Sequence, residues 1–133
     1  MAVVRWSKPP LGWLKLNVDA SFVSATTPIG IGAICRDSDG SCLGGFQHSD
    51  SSVGSAKHAE LVALFLGLQF AIQHHFSPLI LETDCFELVQ AVSGTSMDHS
   101  EFGFLISDLR ELLLESNSRL IHVKEVPTLL HIL

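Results

Sequence analysis

The chain has 133 residues, and we expect residues 1–133 to form a single domain with its own core. Apolar residues make up 47% and charged residues 17%, which excludes an intrinsically disordered chain. Fourteen acidic against eight basic side chains give a formal charge of −6, which excludes nucleic-acid binding through bulk positive charge and leaves a local patch or acid-held metal ions as routes.

The first half of the chain predicts a lead-in and three antiparallel strands. Residues 1–14, with two adjacent prolines, predict an irregular lead-in. Residues 15–22 alternate polar and apolar side chains, as a half-buried strand does. Two more strands are predicted over residues 30–36 and 41–46, because the Asp-Ser-Asp-Gly between them suits a hairpin in which Gly40 takes a positive φ.

The second half predicts helices and two further strands. A helix over residues 56–75, capped by Ser55 and ended by Pro78, is apolar on nearly all sides and is expected to be deeply buried. The remaining predicted elements are a central strand over 79–83, amphipathic helices over 85–92 and 101–115, a last strand over 119–126 and a final helix opened by Pro127 and truncated at Leu133. The order βββ-α-β-α-α-β-(α) predicts an α/β protein, of the α+β type, with helices packed against a mixed sheet.

The cysteines and the apolar runs indicate the compartment. Cys35, Cys42 and Cys85 are odd in number and lack CxxC spacing, so we expect free thiols rather than a zinc site. Cys35 and Cys42 either face each other across the hairpin or are small buried apolar residues. No apolar run is long enough for a membrane span, and residues 1–16 lack a secretory signal. We therefore expect an intracellular monomer without membrane contact.

Three acidic residues are distinguished by their positions. Asp19 lies mid-strand on a polar face, Glu60 lies early in an apolar helix, and Asp84 ends an apolar strand where a helix starts. Each also has a structural explanation: solvent exposure for Asp19, the helix dipole for Glu60, and a capping box with Glu87 for Asp84. If their elements converge in a mixed sheet, the three carboxylates meet at one edge, where their repulsion requires cations.

Carboxylates gathered in this way predict a particular chemistry. Hard oxygen ligands suit Mg²⁺ or Mn²⁺ rather than zinc. Two such ions can hold the attacking and leaving oxygens of a phosphodiester that is being hydrolysed.

Four motifs occur in one register along the chain. They are Trp6…Pro9-Pro10…Gly12…Lys15-Leu16-Asn17-Val18-Asp19; Gly30-Ile31-Gly32-Ala33-Ile34-Cys35-Arg36-Asp37 with Asp39-Gly40; Ala59-Glu60-Leu61-Val62-Ala63-Leu64 with Gly67-Leu68; and Leu81-Glu82-Thr83-Asp84-Cys85 with Leu88-Val89. Together they cover nearly all of the chain. In this order they resemble the ribonuclease H-like domain of plant non-LTR retroelement reverse transcriptases and its stand-alone relatives.

The resemblance implies a fold, an activity and a set of ligands. The fold would be the ribonuclease H fold, a five-stranded mixed sheet flanked by helices. The activity would be endonucleolytic cutting of the RNA strand of RNA–DNA hybrids with two Mg²⁺ ions, or with Mn²⁺. By motif, Asp19, Glu60 and Asp84 match the first three metal-binding acids of the family. The residues that bind the hybrid are not identified.

The chain departs from the family pattern after the first acid and near its C-terminus. Ala20 stands where Gly is usual, and residues 124–133 replace the usual Arg-Glu-x-Asn-x-x-Ala-His/Asp-x-Leu-Ala with Lys-Glu-Val-Pro-Thr-Leu-Leu-His-Ile-Leu. His131 then occupies the fourth position of the metal site, where an imidazole can bind a metal or shuttle a proton. Alternatively, it lies on a fraying helix end and has no role.

Three functional hypotheses follow. The first is a metal-dependent ribonuclease of the ribonuclease H type that selects RNA by its 2′-hydroxyl. The second is a catalytically impaired or inactive ribonuclease H-like module that binds nucleic acid or protein, which the altered C-terminal motif and the scattered basic residues favour. The third is a gene fragment that folds poorly.

Overall fold

The computed structural model describes residues 6–51, 53–94 and 102–124. Within them, five strands and three helices follow in the order β1 (Leu14–Ser21), β2 (Ile29–Arg36), β3 (Cys42–Asp50), α1 (Ala56–Gln73), β4 (Leu79–Thr83), α2 (Phe86–Ser93), α3 (Gly103–Glu115) and β5 (Ser118–His122). The predicted order is confirmed up to the last strand. The final helix predicted from Pro127 lies outside the described residues.

The strands form one mixed sheet in the order β3-β2-β1-β4-β5. The β1–β2 and β2–β3 pairs are antiparallel, whereas the β1–β4 and β4–β5 pairs are parallel. Because β1, β4 and β5 run in the same direction, their carboxyl ends lie at one edge of the sheet. We call this the carboxyl edge.

The hydrophobic core lies between one face of the sheet and α1. Leu16 and Val18 of β1 are fully buried on that face. Gly67 of α1 lies against them so closely that an added Cβ would come within 2.6 Å of Val18 Cγ1. The helix begins after Ser55, whose hydroxyl accepts a hydrogen bond from the His58 N–H at 3.1 Å, so the predicted cap is confirmed. No helix in the described ranges is long and apolar enough to cross a membrane.

The described part of the Pro-rich lead-in, from residue 6 onward, covers part of the opposite face of the sheet. Trp6 donates its indole N–H to Asn17 Oδ1 at 2.8 Å, and the Arg36 guanidinium lies 5.4 Å from the Trp6 ring centre. Further along, the Arg119 guanidinium lies 4.8 Å from the Trp13 ring centre. This face carries the polar side chains of Lys15 and Asn17 from β1 and of Glu82 from β4, which contact one another.

The β2–β3 hairpin corrects one expectation about the cysteines. Gly40 takes a φ of +84°, as predicted, and Asp37 Oδ1 accepts hydrogen bonds from two backbone N–H groups of the turn. A register shift after Cys35 pairs that residue with Gly44, so Cys35 and Cys42 are not opposite each other. Cys35 is buried, Cys42 is exposed, and all three cysteines are free thiols, as predicted.

Candidate active site

Asp19 reaches the carboxyl edge from β1. It is half-buried, and it lies on the face of β1 opposite Val18, which packs on α1. Its Oδ1 accepts a hydrogen bond from the Ala20 N–H at 3.0 Å. The residue that stands where the family usually has Gly therefore orients the first acid through its backbone.

Glu60 reaches the same edge from the N-terminal part of α1. It is half-buried between the fully buried Ala59 and Leu61. The first turn of α1 holds no acidic residue, so the helix-dipole explanation for Glu60 is not supported. An ion pair between Lys57 Nζ and Glu87 Oε2, 3.8 Å apart, joins this end of α1 to the start of α2.

Asp84 follows directly after β4 and is exposed at the carboxyl edge. The N-cap residue of α2 is Cys85, with no side-chain cap, and the Cys85 N–H donates to Thr83 Oγ1 at 3.1 Å. Since the cap position belongs to Cys85 and Glu87 pairs with Lys57, the capping-box explanation for Asp84 is wrong. The Asp84 side chain therefore does not cap α2, although Asp84 lies between β4 and this helix.

The three carboxylates interact electrostatically. Burial, and then the charges of Asp84 and Asp19, raise the pKa of Glu60 to about 7. Burial also raises the pKa of Asp19, with a further contribution from Asp84, against the lowering effect of the Ala20 hydrogen bond. Acidic residues from β1, α1 and the end of β4 therefore influence one another at the carboxyl edge.

The chemistry of this donor set fits a hard divalent cation. Carboxylate oxygens are the ligands that Mg²⁺ and Mn²⁺ prefer, and a cation would offset both the burial and the repulsion that raise the pKa of Glu60. In residues 6–51, 53–94 and 102–124, no three His, Cys, Asp or Glu side chains are gathered closely enough to hold one ion. The acids thus fit a metal by charge and donor type, without forming a ready three-residue ligand group.

The fourth position of the candidate site belongs to the C-terminal motif. His131 lies outside the described residues, so its place relative to the three acids stays a prediction. Lys124, the last described residue, follows β5 beyond its carboxyl end.

Sequence reasoning missed a buried polar cluster next to the acids. It consists of Trp6, Lys15, Asn17 and Glu82, and joins the lead-in, β1 and β4 by hydrogen bonds and an ion pair. The available signal was Glu82, an acidic residue within a strand that is otherwise apolar until its end. Glu82 is only 5% exposed, and a buried acid requires a partner.

A match to a protein-family model shows which family the chain belongs to. The model described as "Reverse transcriptase-like" matches residues 17–124. The chain belongs to the reverse transcriptase-like family. The predicted relationship to plant ribonuclease H-like domains is confirmed, and the matched range contains Asp19, Glu60 and Asp84.

Individual relatives agree with the family. The Arabidopsis thaliana protein named "Putative ribonuclease H protein At1g65750" is 29% identical over 104 residues. The match covers 78% of this chain and 17% of that relative, so the chain spans about a sixth of its length.

Solved structures show the fold. RNase H1 from the archaeon Halobacterium salinarum superposes with a TM-score of 0.72 at 20% identity, covering 84% of this chain and 86% of the archaeal chain. LC11-RNase H1, from compost, solved in complex with an RNA/DNA hybrid, gives a TM-score of 0.69 at 15% identity over 83% of this chain and 84% of its own. The predicted ribonuclease H fold, with its five-stranded mixed sheet, is confirmed.

Proposed function

We propose that this chain is a metal-dependent endonuclease that hydrolyses the RNA strand of RNA–DNA hybrids. The observation that carries the proposal is that Asp19, Glu60 and Asp84 lie on elements that end or begin at the carboxyl edge of a ribonuclease H fold and interact there: burial, and then the charges of Asp84 and Asp19, raise the pKa of Glu60 to about 7. Two likenesses support it: the ribonuclease H name of the Arabidopsis relative, and the RNA/DNA hybrid bound in the LC11-RNase H1 structure.

The three acids would act as metal ligands. Asp19, Glu60 and Asp84, which interact with one another, would together hold the Mg²⁺ or Mn²⁺ ions. When bound, such ions activate a water for in-line attack and stabilise the leaving 3′-oxygen. His131 is proposed for the fourth position, as a ligand or a proton shuttle. Contacts to the 2′-hydroxyl would separate RNA from DNA.

A second candidate is a ribonuclease H-like module that binds nucleic acid without cutting it. The observation that favours it is that no three ligating side chains in the described part of the chain already converge on one ion. The position of the acids favours the enzyme, because a binding module gains nothing from three repelling carboxylates.

The test is cleavage of a labelled RNA–DNA hybrid in Mg²⁺ and in Mn²⁺ by the wild type and by Asp84→Asn. We expect the wild type to cut and the variant to lose cutting, since it lacks one metal-holding carboxylate. Asp108→Asn, which removes the same charge from an exposed position on α3, is the matched control and should cut like the wild type.

Two results would contradict the proposal. Cutting that persists in Asp84→Asn would remove the site assignment. A cooperatively folded wild type that binds the hybrid without cutting it in either metal would establish the second candidate instead.

A further inference from the structure

A buried polar tie connects β1 to β4 just inside the carboxyl edge. Asn17 Nδ2 donates to Glu82 Oε1 at 2.7 Å, and Lys15 Nζ lies 3.3 Å from Glu82 Oε2. Asn17 is 2% exposed, Lys15 4% and Glu82 5%. Buried charges are costly unless they are paired and hydrogen-bonded, and here both oxygens of Glu82 have a partner.

The lead-in completes this tie from outside the sheet. Trp6 donates its indole N–H to Asn17 Oδ1, so the Asn17 amide is engaged at both of its ends. Lys15 Nζ donates to the Ser7 backbone carbonyl and hydroxyl, and lies 5.5 Å from the Trp6 ring centre. Across the described ranges, no buried side-chain nitrogen or oxygen lacks a hydrogen-bond partner. Trp6 and Ser7 of the lead-in therefore belong to this cluster.

The tie is placed where the backbone no longer holds the two strands together. The parallel register between β1 and β4 runs from the Leu14–Leu79 pair to the Asn17–Glu82 pair and ends there. Asp19 lies two residues beyond Asn17 on the same face of β1, and Asp84 lies two residues beyond Glu82. The Asn17–Glu82 bond is thus the last lateral contact of the register before the two acids.

The tie also controls charge near the acids. Without a cation beside it, the Glu82 carboxylate would be a buried, uncompensated negative charge two residues before Asp84. The Lys15 ammonium offsets that charge inside a region that is shielded from water. The Lys15–Glu82 pair is therefore neutral, and the negative charge of the candidate site comes from Asp19, Glu60 and Asp84.

We propose that Asn17, Glu82 and Lys15, closed off by Trp6, are positioning residues that fix the separation of Asp19 and Asp84. Through that separation they set the affinity of the two acids for a divalent cation. The inference rests on the metal-binding role given to Asp19 and Asp84 in the proposed function.

The test measures binding of Mn²⁺ to the free protein by titration calorimetry, alongside thermal unfolding without metal. Asn17→Ala removes both hydrogen bonds of the amide, and we expect Mn²⁺ to bind about tenfold or more weakly, as for other residues that orient metal ligands. Glu82→Gln keeps an oxygen acceptor for Asn17 and loses the ion pair, so it should retain more affinity than Glu82→Ala. Trp6→Phe removes only the indole donor and should show a smaller loss in the same direction.

The control separates positioning from stability. Leu113→Ala truncates a core side chain toward the C-terminal end of α3, away from the carboxyl edge. It should lower the melting temperature without changing the Mn²⁺ affinity. If Asn17→Ala does not fold, Glu82→Gln and Trp6→Phe decide the question, because each keeps most of the contacts.

The two ways of failing are distinguishable. If the variants of Asn17, Glu82 and Trp6 melt earlier but bind Mn²⁺ like the wild type, the positioning role is overturned and the metal site stands. If the wild type binds no Mn²⁺, or if Asp84→Asn binds it equally well, the metal role of the acids fails and this inference fails with it.

Discussion

At the scale of single residues, Glu60 lowers the stability of the folded protein when it ionises in the candidate site. Its carboxylate is half-buried and shares the carboxyl edge with Asp84 and Asp19, and its pKa rises to about 7. The folded protein therefore favours the protonated form of Glu60, whereas in the unfolded chain Glu60 ionises near its ordinary pKa of 4.5. A bound cation would reverse this preference.

This gives a prediction for stability against pH in the absence of metal. Because the pKa of Glu60 is higher in the folded state, its contribution to the free energy of unfolding is fully present below about pH 4.5. That contribution is lost as the pH rises through about 7. The glutamine of Glu60→Gln cannot ionise. The melting temperature of this variant should therefore rise relative to that of the wild type between these pH values, and the difference should persist at higher pH. Thermal melts with EDTA from pH 4 to 8 measure this.

The control for that measurement is Glu111→Gln, a change at an exposed position on α3. It should show no comparable gain across the same range. A constant difference between Glu60→Gln and the wild type at every pH would contradict the electrostatic interpretation.

The sequence predicted the three acids but not their support. Asp19, Glu60 and Asp84 stand out by position: Asp19 is an acid in the middle of an alternating strand, Glu60 lies in an apolar helix, and Asp84 ends an apolar strand. The partners of Glu82 could not be predicted in this way, because Asn17 lies 65 positions away and the pairing depends on the register of β1 against β4. Such a contact becomes visible only when the strand alignment is known.

At the scale of elements, the fit of α1 against β1 depends on one missing side chain. Gly67 lies where a Cβ would come within 2.6 Å of Val18 Cγ1 and 3.2 Å of Leu16 Cδ2. Both neighbours are fully buried and have little room to move. Glu60 lies on the same helix, so the depth of α1 on the sheet also sets how Glu60 approaches the other acids.

We therefore expect Gly67→Ala to destabilise the protein. Overpacking costs about 1–3 kcal/mol, which exceeds or matches the ~1 kcal/mol that Ala gains over Gly inside a helix. Urea unfolding should show a net loss of free energy of unfolding.

The matched control is Gly54→Ala, since a Cβ at Gly54 meets nothing within 4 Å. It should leave the free energy of unfolding nearly unchanged. A Gly67→Ala variant as stable as the wild type would show that α1 can shift away from Val18 without penalty.

Element types were easier to predict than their ends. The predicted third strand, over residues 41–46, continues in the structure to Asp50. Its second half, Gln47 to Asp50, is polar and lacks the alternation that marks a half-buried strand. It remains a strand because β3 is at the edge of the sheet, where backbone pairing with β2 holds it and its side chains stay largely exposed.

At the scale of the whole molecule, charge limits how nucleic acid can bind. The formal charge is −6, and most basic side chains in the described ranges are already engaged within the fold. Lys15 and Lys57 form ion pairs, Arg36 and Arg119 lie over tryptophan rings, and Arg110 donates to backbone carbonyls at the C-terminal end of α2. Among the described residues, few cations are left to contact phosphates directly.

Binding of a hybrid should accordingly depend little on monovalent salt. Each phosphate neutralised by a basic side chain contributes about −0.9 to the slope of log K against log salt, so we expect a slope no steeper than about −3. Fluorescence anisotropy with a labelled hybrid and Asp84→Asn, which should not cut, measures it at fixed Mg²⁺. A slope near −6 would instead reveal a basic surface that the described residues do not provide.

The mixed topology was also predictable, because an antiparallel meander followed by alternating helices and strands has few ways to fold. The coverage of the opposite face by the lead-in was not, since residues 6–13 have no periodic pattern to indicate what they contact.

The contact between Trp6 and Asn17 determines which residues a fragment must include to keep the candidate metal site intact. The family match starts at residue 17, and the first strand starts at Leu14. A truncation at either point would keep all three acids but discard Trp6 and Ser7, and one at residue 17 would also discard Lys15. Glu82 would then lose its counter-charge, and Asn17 one of its bonds. The smallest fragment fit for measuring metal binding therefore begins before Trp6, upstream of the first regular element.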